Sequence, residues 1–236
     1  MIALTFALSQ ESRDLVELLE APKRMGSPAL AITEGHLAGQ GVVILHTGVG
    51  AEMAAKRAAA FMERVRPRLV IGAGFAGGLD PSLRLGDLII GTNVSAPDQV
   101  ERCRALVQPT ERVHFGPIVG AHVPIETVAE KAEFARISRG LAVDMESAAL
   151  TAACASVGVP FLSVRAISDS ADAALPVPFG VWFDLERQKP RPSALVRYLI
   201  AHPQQFWPFV RFVRGLTPAR RTLTAFLVRL IETETG

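Results

Sequence analysis

Cysteines, long apolar runs and repeated segments are what this sequence has little of, and each shortage excludes something. Only two cysteines occur among 236 residues, Cys103 and Cys154. They form no CxxC pair and have no histidine cluster beside them, so neither a disulfide framework nor a metal centre is expected. A reducing, cytoplasmic setting fits that composition. No apolar run approaches the roughly 18 to 20 residues that cross a bilayer, which argues against an integral membrane protein. Met1 to Leu8 is apolar but lacks a basic flank and runs at once into the polar stretch Ser9 to Asp14, so it reads as a first strand rather than a leader. No internal repeat or low-complexity tract marks the chain as a solenoid or a linker.

What is present is a globular composition. Hydrophobic residues make up 49% and charged residues 20%, enough apolar surface for a packed core and far from the polar bias of disordered chains. The length suits one large α/β domain with an appendage. The net charge of +2 hides a division. Residues 187–236 carry nine basic and two acidic side chains, whereas residues 1–186 carry an excess of acids. This divides the chain into a catalytic domain over 1–186 and a basic, amphipathic helical extension over 187–236.

Along the first part, apolar strands alternate with helical patterns. Ile2 to Leu8 is a strand, and Ala29 to Thr33 with Val42 to His46 forms a hairpin that ends in Thr47-Gly-Val-Gly50. Ala54, Ala58, Phe61 and Val65 make one stripe of a helix over Ala51 to Val65, stopped by Pro67. Leu69 to Ile71 is a buried strand entering the glycine-rich loop Gly72 to Gly78, and Asp87 to Ile90 is the next strand. Ser95 to His114 is weakly periodic and reads as loop or short helix. Phe115 to Ala121 is a strand, Thr127 to Arg139 a helix, Leu141 to Asp144 a short strand, Glu146 to Val157 a helix and Pro160 to Ile167 the last strand. This order predicts a three-layer α/β/α domain around a mixed, mostly parallel sheet, with its site at the carboxyl ends of the strands. Beyond the proline-rich stretch from Ala173 to Pro192, helices are predicted over Ser193 to Ala201, Gln204 to Val213 and Pro218 to Thr233.

Three segments could carry chemistry. Gly72-x-Gly74-x-x-Gly77 matches a dinucleotide fingerprint, but Pro81 and the strand at Gly86 leave no room for the helix that such a site requires, so NAD binding is rejected. A glycine loop where bare backbone meets a sugar or an anion, or a tight turn with no ligand, both stay open. In Val143-Asp-Met-Glu-Ser147, Glu146 sits in an apolar run where a lone carboxylate is costly. It is either partnered by ribose hydroxyls or an acid complementing a helix dipole. Arg165 interrupts the most apolar strand, which ends in Ser168-Asp169, and a core strand accepts arginine only with an anionic partner. A structural salt bridge is the plain alternative. Glu11, taken singly, reads as a solvated loop acid.

In order along the chain, Glu11, Thr47-Gly-Val-Gly50, Gly74-Phe-Ala-Gly-Gly78, Gly86-Asp87, Val143-Asp-Met-Glu146 and Val164-Arg-Ala-Ile-Ser-Asp169 resemble the purine nucleoside phosphorylase and methylthioadenosine/S-adenosylhomocysteine nucleosidase superfamily. The resemblance covers Ile2 to about Asp172. It implies an enzyme that needs no cofactor, takes a small purine nucleoside and forms a homo-oligomer. By the same resemblance Glu11 activates the attacking water, Arg165 holds the water or anion beside it, Glu146 binds the ribose hydroxyls and Met145 packs on the sugar. Asp169 protonates the purine, and Gly74, Phe75, Val123 and Ser168 complete the substrate-binding surface. The chemistry is coherent: an oxocarbenium-like sugar needs a nucleophile on one face and an acid for the leaving base on the other.

Two departures matter. Phe75 stands where the family usually places a serine or threonine, and Ala7-Leu-Ser-Gln-Glu11 lacks the glycine and arginine cluster that grips phosphate, so hydrolysis is favoured over phosphorolysis. The tail, with Leu175-Pro, Ala201-His-Pro-Gln and a basic aromatic run, is similar to hopanoid-associated phosphorylase-like proteins, which implies adenine release from a lipid-linked nucleoside such as adenosylhopane. Phe206, Trp207, Phe209 and Phe212 among Arg211 and Arg214 would then form an interfacial helix, or they cover the sheet while the arginines face solvent. A phosphate-dependent phosphorylase and a non-catalytic nucleoside-binding, membrane-peripheral protein are the competing readings. A nucleic-acid partner is not expected, because the tail's charges carry no recognition motif.

Overall fold

The computed structural model of the chain describes residues 1–27 and 30–234. Its frame is one sheet. β1 (Ile2–Phe6) lies between β4 (Gln40–His46) and β5 (Leu69–Gly78), parallel to both. β5 in turn pairs in parallel with β10 (Phe161–Asp169). These four neighbours are apolar on both faces because helices cover both sides, and their carboxyl ends open at the same edge.

The sheet grows outward by antiparallel additions. β2 (Glu20–Ser27) and β3 (Leu30–Leu37) extend it beyond β4, with β3 turning into β4 through Ala38 and Gly39. β6 (Leu88–Gly91) pairs antiparallel with β10, and β7 (Val113–Gly116) follows in parallel. β8 (Ile118–Gly120) and β9 (Ala142–Asp144) form a parallel pair that joins the far end of β5 through Gly77 and Gly78. The small ribbon of β11 (Phe183–Asp184) and β12 (Lys189–Pro190) stands apart. The expected mixed, mostly parallel sheet is therefore present.

Helices α2 (Ala51–Met62) and α5 (Ser147–Ala155) cover one face, where Ala54, Ala58, Phe61, Leu150 and Cys154 meet Ala3, Val43 and Leu45. The other face is covered by α1 (Ser9–Glu17), α3 (Pro97–Leu106) and α8 (Phe206–Glu232). α4 (Val128–Ser138) lies over β9, and α6 (Phe179–Trp182) and α7 (Pro192–Ala201) belong to the tail. Leu223, Phe226, Leu227, Leu230 and Ile231 of α8 are buried against Ile2, Leu4 and Ile71 of the sheet. The last turns of the chain are thus part of the core.

Several elements differ from expectation. Ser9 to Asp14 is helix rather than loop, because Leu8 N–H is capped by the Glu11 carboxylate at 2.8 Å. Gly72 to Gly78 is strand, since its backbone is paired by β10 and, at its end, by β9. Phe115 to Ala121 splits at Pro117, which offers no N–H to the ladder. The two last predicted helices are one, running through Pro218; only the N–H that proline lacks is lost there, and packing of the following turns outweighs it. β2 escaped notice because its sequence, Glu20 to Ser27, is mostly exposed and polar. Of the predicted strand from Ala29 to Thr33, Ala29 lies outside the described residues.

The uneven charge has a structural use. Arg220 of α8 pairs with Asp14 at 2.9 Å and Arg229 with Glu111 at 2.6 Å, so part of the tail's positive charge is spent holding it to the acidic body.

Because Leu227 is fully buried in the sheet-facing row of α8, Leu227→Ala is expected to cost about 2 to 5 kcal/mol. Urea unfolding measures it, and an unchanged midpoint would show that the helix end does not belong to the core.

Candidate functional site

At the open edge, the chain leaves β1, β4, β5 and β10 beside one another and encloses a cavity of about 590 Å³. Its floor is an ionic cluster. Arg165 of β10 is 1% exposed, and its guanidinium meets Asp144 Oδ2 at 2.7 Å and Ser147 Oγ at 3.1 Å. Its Nε has no hydrogen-bond partner among the described residues. Arginine survives in this strand because Asp144, Glu146 and Glu11 surround it; burial opposes its charge, and those three carboxylates more than restore it, raising its pKa.

Each carboxylate is placed by backbone. Glu11 accepts from Leu8 N–H at 2.8 Å and from Phe75 N–H at 2.9 Å, which ties the start of α1 to β5. Burial pushes its carboxyl above the ordinary range, against the pull of those N–H groups and of Arg165. Glu146, at the start of α5, accepts from Gly50 N–H at 2.8 Å, so the glycine turn after β4 is fastened across the cavity. Burial is the main cause that brings the Glu146 carboxyl up to about 7, with Asp144 and Glu11 adding to it and Arg165 opposing. Three buried acids around one arginine leave the floor poised to attract positive charge.

Gly74 is the residue that lets this cluster close. It stands opposite Arg165 in the register of β5 and β10. A Cβ there would lie 2.7 Å from Arg165 Nη1 and 2.8 Å from Glu11 Oε1. Gly77 likewise lies against Asp169, whose side chain is turned by a register shift between Ile167 and Asp169. The close approach predicted for the glycines is therefore made to the protein's own charged groups.

On the opposite wall Asp169 accepts from Ser168 Oγ at 2.5 Å and forms a salt bridge with Lys131 of α4. Glu11, Phe75, Val123, Met145, Glu146, Ser168 and Asp169 all line the cavity; Gly74 and Arg165 lie directly beneath it. Thus the residues singled out in the sequence come together in one place. Arg165 is bound by Asp144 and Ser147 in the floor, the salt bridge that its strand left open as an alternative, and it stands beside Glu11.

The sequence reading missed four kinds of contributor. Asp144 was visible in the Asp-Met-Glu triplet but was given no role. Lys131 was given no role, although its spacing with Phe134 and Ala135, at i, i+3 and i+4, is that of an inward helix face. Gln188 clamps the glycine turn, accepting from Val49 N–H at 2.7 Å and donating to Val49 O at 2.9 Å. Finally, Phe179, Trp182, Phe183 and Leu216 join Phe209 and Phe212, which the sequence placed in an interfacial helix or over the sheet, in an apolar wall of the cavity. No local motif links residues so distant in sequence. Among the described residues no group of histidine, cysteine, aspartate or glutamate side chains is placed to hold a metal ion.

Gly74→Ala is expected to displace the Glu11 and Arg165 pair and to destabilise the fold by about 1 to 3 kcal/mol. Gly41→Ala, where a Cβ meets nothing within 4 Å, serves as the neutral control in the same denaturation series. Equal midpoints for the two variants would mean that the close approach is not required.

Comparison with known proteins agrees with this architecture. The family model described as the phosphorylase superfamily matches residues 1–106 and 95–201. A 5′-methylthioadenosine/S-adenosylhomocysteine nucleosidase of Actinobacillus succinogenes is 30% identical over 201 residues, covering 72% of this chain and 86% of that protein. One from Glaesserella parasuis is 27% identical over 215 residues, covering 80% and 94%. In fold, the chain is similar to the crystal structure of the 5′-methylthioadenosine/S-adenosylhomocysteine nucleosidase of Neisseria meningitidis in complex with methylthio-immucillin-A, with a TM-score of 0.75, 23% identity and 98% of each chain covered. With its strand order, its cavity at the sheet's carboxyl edge and these relatives, the chain belongs to the phosphorylase superfamily and, within it, to the nucleosidases, hydrolases of N-glycosyl compounds.

Proposed function

We propose that the protein hydrolyses the N-glycosidic bond of a 5′-substituted adenosine, releases adenine, and prefers a large apolar 5′ substituent. The observation that carries the reading is the pairing of an acid-rich floor, Glu11, Asp144 and Glu146 around Arg165, with Asp169 across the same cavity. As the bond to the base lengthens, positive charge grows on the ribose ring. Carboxylates fixed by backbone N–H groups stabilise that charge without having to reorganise.

In this scheme Glu11 takes a proton from the attacking water, a task that its burial suits by raising its proton affinity. Glu146 holds the ribose hydroxyls, Met145 packs on the sugar, and Val123 with Phe75 and Gly77 faces the base and sugar. Asp169 with Ser168 receives the purine edge and passes a proton to it. Phosphorolysis is disfavoured by two features: no lysine or arginine is among the described residues lining the cavity, and Phe75 replaces a hydroxyl with an apolar ring. A phosphate dianion would lack a cationic cradle on that wall.

The aromatic wall from the tail supports the choice of 5′ group. It is far more apolar than a methylthio group alone requires, and it continues to the surface. There Phe206 and Trp207 pack edge to face, Trp207 is 72% exposed, and Arg211 and Arg214 flank them. No helix among the described residues is long and apolar enough to cross a membrane. An exposed aromatic tip with basic neighbours suits the headgroup region of an anionic bilayer, from which a lipid-linked nucleoside such as adenosylhopane could reach the cavity.

Adenine release from a panel of 5′-modified adenosines, followed by chromatography with and without phosphate, tests the activity. Release is expected to be independent of phosphate and to gain in kcat/KM as the 5′ group becomes larger and more apolar; strict phosphate dependence, or preference for the unmodified nucleoside, would overturn the proposal. The surface reading is checked by sedimentation with phosphatidylglycerol vesicles, where Trp207→Asp combined with Phe206→Asp should lower the bound fraction severalfold. Equal sedimentation of that variant and the original chain would dispose of it.

A further inference from the structure

Lys131 is the second large charged side chain that the fold buries, and the proposed chemistry leaves it without a task. It is 1% exposed, in a helix whose other polar residues face outward. The phase of α4 is set by a capping box, in which Thr127 Oγ1 accepts from Glu130 N–H at 3.1 Å and Glu130 Oε2 accepts from Thr127 N–H at 2.8 Å. Lys131 follows immediately and points inward with Phe134 and Ala135.

All three hydrogens of its ammonium are engaged. One goes to Asp169 Oδ2, one to the Ser170 carbonyl at 2.8 Å and one to the Ala173 carbonyl at 2.7 Å. Asp169 Oδ1 accepts from Ser168 Oγ at 2.5 Å. Both oxygens of the carboxylate that faces the base therefore accept from a donor of the protein, and the donor at Oδ2 is an ammonium. Burying an ammonium costs several kcal/mol unless its partners repay it. A fold seeking only to fasten the turn from Ser170 to Ala173 could do so with a neutral donor.

We infer that Lys131 is a positioning residue that loads Asp169, so that the acid of this site is a lysine–aspartate pair. The inference rests on the nucleosidase reading of the cavity. The steps balance as follows. As the bond between C1′ and N9 breaks, its electron pair enters the purine and N7 becomes basic. A proton from the Lys131 ammonium passes to Asp169 as Asp169 passes one to N7, leaving Asp169 a carboxylate beside a neutral Lys131 amine. On the other face the water oxygen bonds to C1′ and its proton goes to Glu11. After the products leave, Glu11 returns that proton through solvent to the Lys131 amine. Lys131 is not among the residues lining the cavity, so it acts only through Asp169.

A double-mutant cycle on kcat and KM for 5′-methylthioadenosine tests this, with thermal melting to verify folding. Lys131→Met is expected to lower kcat about 100-fold, the scale of a general acid, while KM stays within about threefold. Asp169→Asn should lose at least as much, and the double variant should be no more than about threefold slower than Asp169→Asn alone, since a residue acting through another has nothing left to act on. Where Lys131→Met fails to fold, Lys131→Gln, which can still donate to the two carbonyls but carries no charge, should show the same loss. Near-normal kcat in a folded Lys131 variant, or losses that multiply in the double variant, would overturn the inference while leaving the nucleosidase reading in place. Absence of adenine release by the original chain from any 5′-modified adenosine would instead remove that reading and this inference with it.

Discussion

A guanidinium enclosed in the middle of a sheet determines much of what surrounds it. Arg165 occupies a position in β10 that its neighbours Val164 and Ala166 fill with apolar groups, and it cannot be hydrated there. Leaving it unpaired would cost more than an average domain can lose. The fold answers with Asp144 from the end of β9, Glu146 from the start of α5 and Glu11 from α1. Glu11 lies far along the chain from Asp144 and Glu146, and each of the three also binds backbone: Glu11 at Leu8 and Phe75, Asp144 at Ser147, Glu146 at Gly50. The same contacts that make a buried cation tolerable therefore fasten the loops of four strand ends into one cavity floor. The surplus of acid over base in that floor is then available for a cation that develops on a bound sugar.

The chain after β10 has two physical tasks. The later turns of α8 close one face of the sheet with a row of leucine, isoleucine and phenylalanine side chains. The earlier turns, with α6 and the ribbon of β11 and β12, roof the cavity with aromatic rings. This roof is tied down by polar clamps at both ends: Glu126 accepts from Phe179 N–H at 2.6 Å, and Gln188 grips both backbone groups of Val49. An apolar wall held by a few hydrogen bonds can be reshaped by sequence change without disturbing the charged floor. Under the proposed function, the division separates selection of the substituent from chemistry at the glycosidic bond.

How legible these features were depended on distance along the chain. The alternation of strands and helices, the stripe in α2 and the apolar run of β10 were readable because periodicity is local. Arg165 could be recognised as needing an anion from its own strand alone, and Glu146 as needing a partner from its own helix start. β2 was not readable, since its sequence, with Pro22 and Gly26 among charged residues, has no strand period and is held by pairing with β3. The glycine stretch after Ile71 looked like a loop because glycine has poor intrinsic strand preference, whereas pairing makes it strand and the nearness of Arg165 and Glu11 leaves no room for a side chain at Gly74. For Lys131 the spacing with Phe134 and Ala135 gives only a helix phase, because burial of a lysine is decided by what faces it.

Residue types and their spacing by themselves determined the layered α/β class, the family and the charged residues that had to find partners, because hydrophobic period and the cost of buried charge act at each position regardless of the rest. Tertiary structure alone decided which charges met. It gave Arg165 to Asp144, set Lys131 behind Asp169, and brought Phe179, Trp182, Phe209 and Phe212 over a floor built from Glu11, Asp144, Glu146 and Arg165. Those choices follow from strand order and helix phase, which place side chains in space only once the whole sheet has closed.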